Sequence, residues 1–443
     1  MMPRYQVYKD SGVEWIGEIP EHWVVKKLKY ISSIQGSNVD KHVYDYEIQV
    51  RLCNYTNVYK NDFINGSVEF NKGSCTEDEY KKFVILEHDV IITKDSETPN
   101  DIGVPALVTE KLLNVVCGYH LSLIRTNIRT LLGAYLFRKL QTKYVRNYFE
   151  VESNGITRFG LGKSAIESLN VFIPPLPEQT QIVEYLDGKT SLIDKLISVK
   201  QRKIELLKEK RTALINHVVT KGLDPNVKLK DSGVEWIGEI PEHWAMTKFK
   251  YVSEIITGNT PSKAENNNNF SEDDEGFIWV KPPNLKGDKY IVESEEKLTE
   301  EGKSQTRIIP FESILICCIG TIGKYGMSGI ELSTNQQINS VVPNADILNN
   351  WYCLYYIDVF TRDLINRTNF VTLPIHTKTD LQNSEFILPS FDEQVRIAIL
   401  LKKSTKEIDD LVSLEQKKID LLKEYRQSLI SEVVTGKIKV TKD

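Results

Sequence analysis

The stretch DSGVEWIGEIPEHW at residues 10–23 returns without a change at residues 231–244, an offset of 221. Each copy leads into a similar run, KKLKYISSI in the first and TKFKYVSEI in the second. Self-similarity on this scale fixes an architecture before any shorter motif does. The chain reads as two tandem copies of one unit.

A second repeated block closes each unit, starting EQTQIVEYL at Glu178 and EQVRIAILL at Glu393, an offset of 215. Between the blocks the copies have diverged, apart from traces such as PNDIGVPALV against CIGTIGKYGM. Drift after a duplication would not spare a fourteen-residue identity while erasing its neighbours. The repeated parts therefore do one job twice, and the divergent parts contact two different things.

The closing block predicts a helix of unusual length. Pro174, Pro175 and Pro177 precede it, and proline is at home just before and inside the first helical turn. Counting a and d positions from Val183 gives a heptad seam through Ile193, Ile197, Lys200, Ile204 and Leu207. Adding 215 gives Ile408, Val412, Glu415, Ile419 and Leu422 in the same register. Some 40 residues at ~1.5 Å each make a rod of roughly 60 Å, and a narrow seam kept twice needs a partner of equal length. Pairing the rods antiparallel sets Lys200 opposite Glu415, Thr190 near Arg426 and Arg211 near Thr405. A parallel pairing would set Arg211 beside Arg426, two like charges in one seam. The path VVTKGLDPN out of the first helix matches VVTGKIKV at the end of the second, so the chain termini are expected to lie close together.

The expected architecture is α/β: two mixed α/β recognition domains separated by two long antiparallel helices that form a coiled coil, with a pseudo-twofold internal repeat. Residues 1–177 form the first recognition domain, 178–221 the first helix, 222–390 the second domain, and 391–443 the second helix and tail. Within the domains, short apolar strands alternate with polar turns and with helices at LLGAYLFRKLQTKYVRNYF and NWYCLYYIDVFTRDLI.

A chain of 443 residues exceeds the size at which one core divides. It contains no run of eighteen apolar residues and its start lacks a secretory pattern, so a cytoplasmic protein with no membrane partner is expected. Cys53, Cys75, Cys117, Cys317, Cys318 and Cys353 show no CxxC spacing, which disfavours metal and disulfides. Cys317 and Cys318 in ILICCIG read as core. With 56 basic against 61 acidic residues, bulk charge points to no polyanion, so any nucleic-acid surface must be local.

Several loops of the divergent regions join flexible backbone, hydrogen-bonding side chains and a cation: KDSETPN from Lys94, GITRFGLGK from Gly155, GTIGKYG from Gly320, STNQQ from Ser333 and PIHTK from Pro374. Lys and Arg bind phosphate and guanine, and Asn and Gln grip adenine. The candidate DNA contacts in the first domain are Lys94, Ser96, Thr98, His120, Thr157, Arg158 and Lys163. In the second they are Lys281, Asn284, Thr321, Lys324, Asn335, Gln336, Gln337, Thr372, His376 and Lys378. Taken singly, each reads more readily as a solvated loop residue than as a base contact.

Catalytic motifs fail. GTIGKYG is no phosphate-binding loop, since Gly320 and Gly323 are too close and no Ser or Thr follows Lys324. KPPN at Lys281 matches the NPPY loop of adenine methyltransferases only superficially, and neither HExxH nor GxSxG occurs. His22 and His243 lie in the identical repeat, where a structural role serving both units fits better than chemistry.

On the duplicated YKDSGVEWIGEIPEHW-like segment, the PPLPEQ sequence at residues 174–179 and the alternation of repeated helices with divergent domains, the whole chain resembles the specificity subunits of Type I restriction-modification systems. The second copy departs from the proline pattern, with LPSFDEQ from Leu388. The resemblance implies that each divergent domain reads one half of a split, asymmetric duplex target while the helices fix the spacer. It implies as partners double-stranded DNA, two modification subunits and ATP-using restriction subunits. Catalysis, with S-adenosylmethionine, ATP and magnesium, would belong to those partners, so this chain would be non-catalytic and carry no cofactor. Two other classes of function remain open on the residues alone: a coiled-coil assembly scaffold whose divergent domains bind proteins, and a self-sufficient nuclease or methylase.

Overall fold

The computed structural model describes residues 3–14, 16–262, 269–271, 275–367 and 375–440. Thr372, one of the candidate contacts, lies outside them. The chain forms two compact units, residues 1–201 with 416–443, and residues 202–415. These units cut across the segments expected from sequence, because each takes the beginning of one long helix and the end of the other.

In the first unit, β1 (Ser32–Gly36), β2 (Phe63–Ile64), β3 (Val90–Thr93), β4 (Pro105–Val108) and β5 (Leu121–Thr126) form a sheet of order β1-β5-β3-β4-β2. Every pairing is antiparallel except β4 with β2. Helix α1 (Gly133–Leu140) follows, and then α2 (Leu176–Lys221). In the second unit, β6 (Ser253–Thr257), β7 (Tyr290–Ile291), β8 (Ile314–Cys317), β9 (Tyr325–Ser328) and β10 (Ile338–Pro343) repeat that order and those directions as β6-β10-β8-β9-β7. Helices α3 (Asn350–Arg367) and α4 (Phe391–Val434) complete it. Two domains whose sequences share only traces thus keep one sheet, because apolar runs such as VIIT in β3 and ILIC in β8 need only be buried, not identical.

The long helices match expectation in extent: α2 opens at Leu176 with Pro177 in its first turn, where a missing amide costs nothing. Their seam positions are covered. Ile193, Ile204, Ile408, Glu415 and Ile419 are buried, and Ile197, Lys200, Leu207, Val412 and Leu422 are half-buried. Inside the first unit the start of α2 (Ile182, Leu186) shares one core with the end of α4 (Leu429, Ile430, Val433). Inside the second unit, Lys203 lies 2.9 Å from Glu415 and Arg211 lies 3.2 Å from Asp409, so position falls on α4 as it rises on α2. The helices run antiparallel.

Two of the polar breaks in the seam meet other partners than the sequence suggested. Arg211 meets Asp409 rather than Thr405, and Arg426 meets Asp194 at 3.0 Å rather than Thr190. Both shifts equal one helical turn, the distance from a hydroxyl to the nearest carboxylate that can neutralise a half-buried guanidinium. The threonines turn to the recognition domains instead: Arg138 of α1 donates to Thr190 at 3.2 Å, and Tyr355 of α3 lies 3.3 Å from Thr405.

The identical fourteen residues form a clasp. In the first unit Trp23 is fully buried and Trp23 Nε1 donates to Glu178 Oε1, while His22 Nε2 lies 2.8 Å from Glu178 Oε2. On its other side the clasp meets the cap of α4, where Gly436 has φ +74 and sits so close to Pro20 and Trp23 that no Cβ fits. Trp244, His243, Glu393 and Gly222 repeat the arrangement in the second unit. Each clasp ties the beginning of one long helix to the end of the other, the structural role expected of both histidines. The neighbouring glutamine is spoken for as well: Gln179 accepts from Leu132 N and donates to Thr130 O and Pro174 O, and Gln394 does the same with Asn349, Ile347 and Pro389. The terminal segments meet as expected, with Lys439 N donating to Pro3 O at 2.9 Å.

All six cysteines are buried and free, in line with a core reading of Cys317 and Cys318. Among the described residues, no helix is long and apolar enough to cross a membrane and no cluster of His, Cys, Asp or Glu could hold a metal.

Candidate nucleic-acid interface

Two loops of the first unit are drawn together by a small sheet. Phe159 and Gly160 pair with Asp95 and Ser96 on one side and with Asn154 and Gly155 on the other. The hairpin turns tightly enough that a Cβ on Gly155 would meet Arg158 O at 2.0 Å, so glycine is required there. The result is an open cavity of about 970 Å³ that gathers five candidates, Ser96, Thr98, His120, Thr157 and Arg158. The His120 imidazole bonds Asp95, and Arg158 Nη2 lies 3.1 Å from His120 Nδ1 and 4.0 Å from Asp95. The guanidinium lies against an imidazole that the carboxylate orients, and its remaining donors can address a base edge or a phosphate.

The structure does not bring the lysines into this group. Lys94 Nζ donates to Ser37 O at 2.8 Å beside Gly36, and Lys163 is exposed beside Glu167. Four wall residues were missed: Tyr55, Asp95, Glu97 and Asp101. Burial and then the Asp101 charge push the Tyr55 hydroxyl up from its ordinary pKa, so it stays a donor. Carboxylates are not among the residue types that marked these loops, yet here Asp95 orients His120.

In the second unit the bridge between Ile319 and Ile375 brings the GTIGKYG loop to the segment holding His376 and Lys378. Gln337 Nε2 donates to Ile319 O, and Asn335 Nδ2 to Gln337 Oε1 at 2.9 Å, so Asn335 and Gln337 brace the same loop. Thr321 lies against Cys317 Sγ at 3.5 Å, and Lys324 is exposed. Gln336 accepts from Thr260. His376 is half-buried, and burial lowers its pKa, which keeps the ring neutral. Lys378 is exposed and opens a short helix capped by Thr377. Lys281 and Asn284 have local work: Asn284 Oδ1 accepts from Lys281 N, and Lys281 Nζ bonds Glu296 above the Trp279 ring. That pairing explains KPPN as a self-capped turn.

A family model described as Type I restriction modification DNA specificity domain matches residues 20–208 and again residues 241–424, together most of the chain. The chain belongs to this family. Its two matches fall on the two copies of the repeat. The chain is 22% identical over 451 residues to the type I restriction enzyme MjaVIII specificity subunit of Methanocaldococcus jannaschii, covering 98% of each. In fold it is similar to a chain from a structure concerning complex assembly and conformational transition of the type I R-M system, with TM-score 0.73 at 16% identity over 95% of this chain and 99% of that one. It is also similar to the HsdS subunit from Thermoanaerobacter tengcongensis, with TM-score 0.54 at 16% identity over 95% and 98%. This chain is a specificity subunit of a type I restriction-modification system, with the DNA specificity domain present twice.

Proposed function

We propose that the chain reads a bipartite, asymmetric duplex target, one half by each recognition domain, and directs partner subunits that methylate or cut. The observation that carries this is the contrast between frame and filling. Clasp and glutamine repeat residue for residue and the helix seam repeats in register, whereas the loops at the candidate interface share almost nothing. A frame that positions two unlike surfaces in the same way suits a target of two unlike halves.

In this reading residues 1–177 and 222–390 recognise DNA, and 178–221 with 391–443 set the spacer. The chain itself is non-catalytic. Two modification subunits dock on the long helices, and restriction subunits join them. Support comes from apolar side chains left exposed at repeated helix positions: Leu196 and Leu411, Val199 and Leu414, Leu206 and Leu421. S-adenosylmethionine, ATP and magnesium belong to those partners, and the complex works in the cytoplasm.

The test is a domain exchange. Replacing residues 24–177 by the corresponding domain of another specificity subunit should change one half of the methylated motif and leave the other half intact. A change in both halves, or in neither, would sink the reading.

A further inference from the structure

Each unit holds a three-way ion cluster at the same place. In the first, Arg426 of α4 reaches Asp194 of α2 at 3.0 Å and Asp62, just ahead of β2, at 2.9 Å. In the second, Arg211 of α2 reaches Asp409 of α4 at 3.2 Å and Asp288, just ahead of β7, at 2.5 Å. Arg426 is Arg211 moved by 215, Asp409 is Asp194 moved by 215, and β2 and β7 hold the same sheet-edge position. The recognition-domain arm of the cluster comes from sequence that has otherwise diverged, NDFI in one copy and GDKYI in the other.

We infer that Arg211 and Arg426 are positioning residues that lock each recognition domain to the helix pair of its own unit. Arg426 Nη2 donates to both Asp62 and Asp194, and Arg211 Nη2 donates to Asp288 while its charge faces Asp409, so each guanidinium engages carboxylates on two different elements. Asp62 takes a further donor from Gln141 at 3.2 Å, and Gln427, beside Arg426 on α4, donates to Gln141 O at 2.7 Å, so the first lock is braced at a second point. In the second unit Arg211 and Asp288 are both mostly covered, at 18% and 16% exposure. Charges at such places add little to stability because desolvation offsets their attraction. Their recurrence in two diverged domains therefore points to geometry. A domain free to rock on its helices would blur the distance at which its half-site is met.

This inference rests on the two-half reading only for its consequence on DNA, so the test has two arms on the full chain. In the first, spin labels at Glu301→Cys and Lys403→Cys, both exposed and both in the second unit, report the separation of its recognition domain from α4. Arg211→Gln and Asp288→Asn should each widen that distance distribution while Arg211→Lys restores part of its sharpness. An unchanged distribution in both variants overturns the lock whatever the chain does with DNA. In the second arm, the chain with its modification subunits is presented with duplexes carrying the mapped half-sites at spacers one base pair longer or shorter. Wild type should prefer one spacer by about tenfold or more. Arg211→Gln should flatten that preference without changing the sequence of either half-site. A uniform loss of affinity at every spacer also overturns the lock, while a wild type with no spacer preference defeats the two-half reading and leaves the first arm to decide the lock.

Discussion

Trp23 Nε1 donates to Glu178 Oε1 at 3.2 Å, across 155 residues of sequence, and so fastens the repeated hairpin to the head of a 46-residue helix. Glu178 also receives His22 and the Tyr5 hydroxyl. Removing the acceptor leaves the indole N–H of a fully buried tryptophan without a partner. Glu178→Ala is expected to destabilise the first unit by about 1–3 kcal/mol. Glu178→Gln keeps an acceptor and should cost less, and His22→Ala, at a half-exposed ring, least of all. Thermal unfolding of the three variants checks the order.

Lys139 is fully buried, with its amine 3.8 Å from the centre of the Phe172 ring. In the second unit Tyr356 holds the corresponding helix position, and its hydroxyl donates to Glu385 O at 2.8 Å. Burial drives the Lys139 pKa well below 10.5. Between its folded value and 10.5 the unfolded chain binds a proton that the folded chain lacks, so stability rises with pH through that window. Lys139→Met should remove this rise and stabilise the chain at pH 7. Denaturant titrations of both proteins from pH 7 to 9.5 give the two slopes, and parallel slopes would refute the account of Lys139.

The thiols should be inert. Burial pushes Cys53 and Cys318 up to about 12 and Cys75 to about 11. A thiol without its thiolate does not react. An aromatic disulfide reagent is expected to titrate no cysteine in the native chain and all six after guanidinium unfolding. Rapid reaction of any native thiol would show an opening that the packing does not allow.

Glycine substitutions separate backbone strain from crowding. Gly12 and Gly436 both have positive φ, but a Cβ on Gly12 meets nothing, whereas on Gly436 it would lie 2.3 Å from Pro20 Cδ. Gly12→Ala should cost about 1–2 kcal/mol from conformation alone. Gly436→Ala should cost measurably more, because the clasp must open, and equal losses in melting experiments would argue against that contact.

What the sequence disclosed was whatever the duplication had protected. The fourteen identical residues, the helix register and the structural histidines were legible because two copies obeying one constraint expose it. The likeness of the two five-stranded sheets was not legible, since β3 and β8 satisfy the same burial with different apolar residues. Arg211 and Arg426 were read as flaws in a seam because their partners Asp62 and Asp288 lie far away in sequence. Nothing in the string RKLQTK singles out Lys139, because it gives no sign of the Phe172 ring beneath it. At the candidate interface, loop composition drew attention to Ser96, Thr98, His120, Thr157 and Arg158, but only folding shows Lys94 turned inward and Asp95 orienting His120.

One chain choosing a two-part target would leave that choice written in host DNA. The most direct measurement is a map of methylated bases in host DNA with and without the gene. Deletion is expected to erase one motif made of two unlike halves at a fixed spacing, and restoring the gene to restore it. An unchanged map, or loss of a motif that is continuous or symmetric, would contradict the two-part reading.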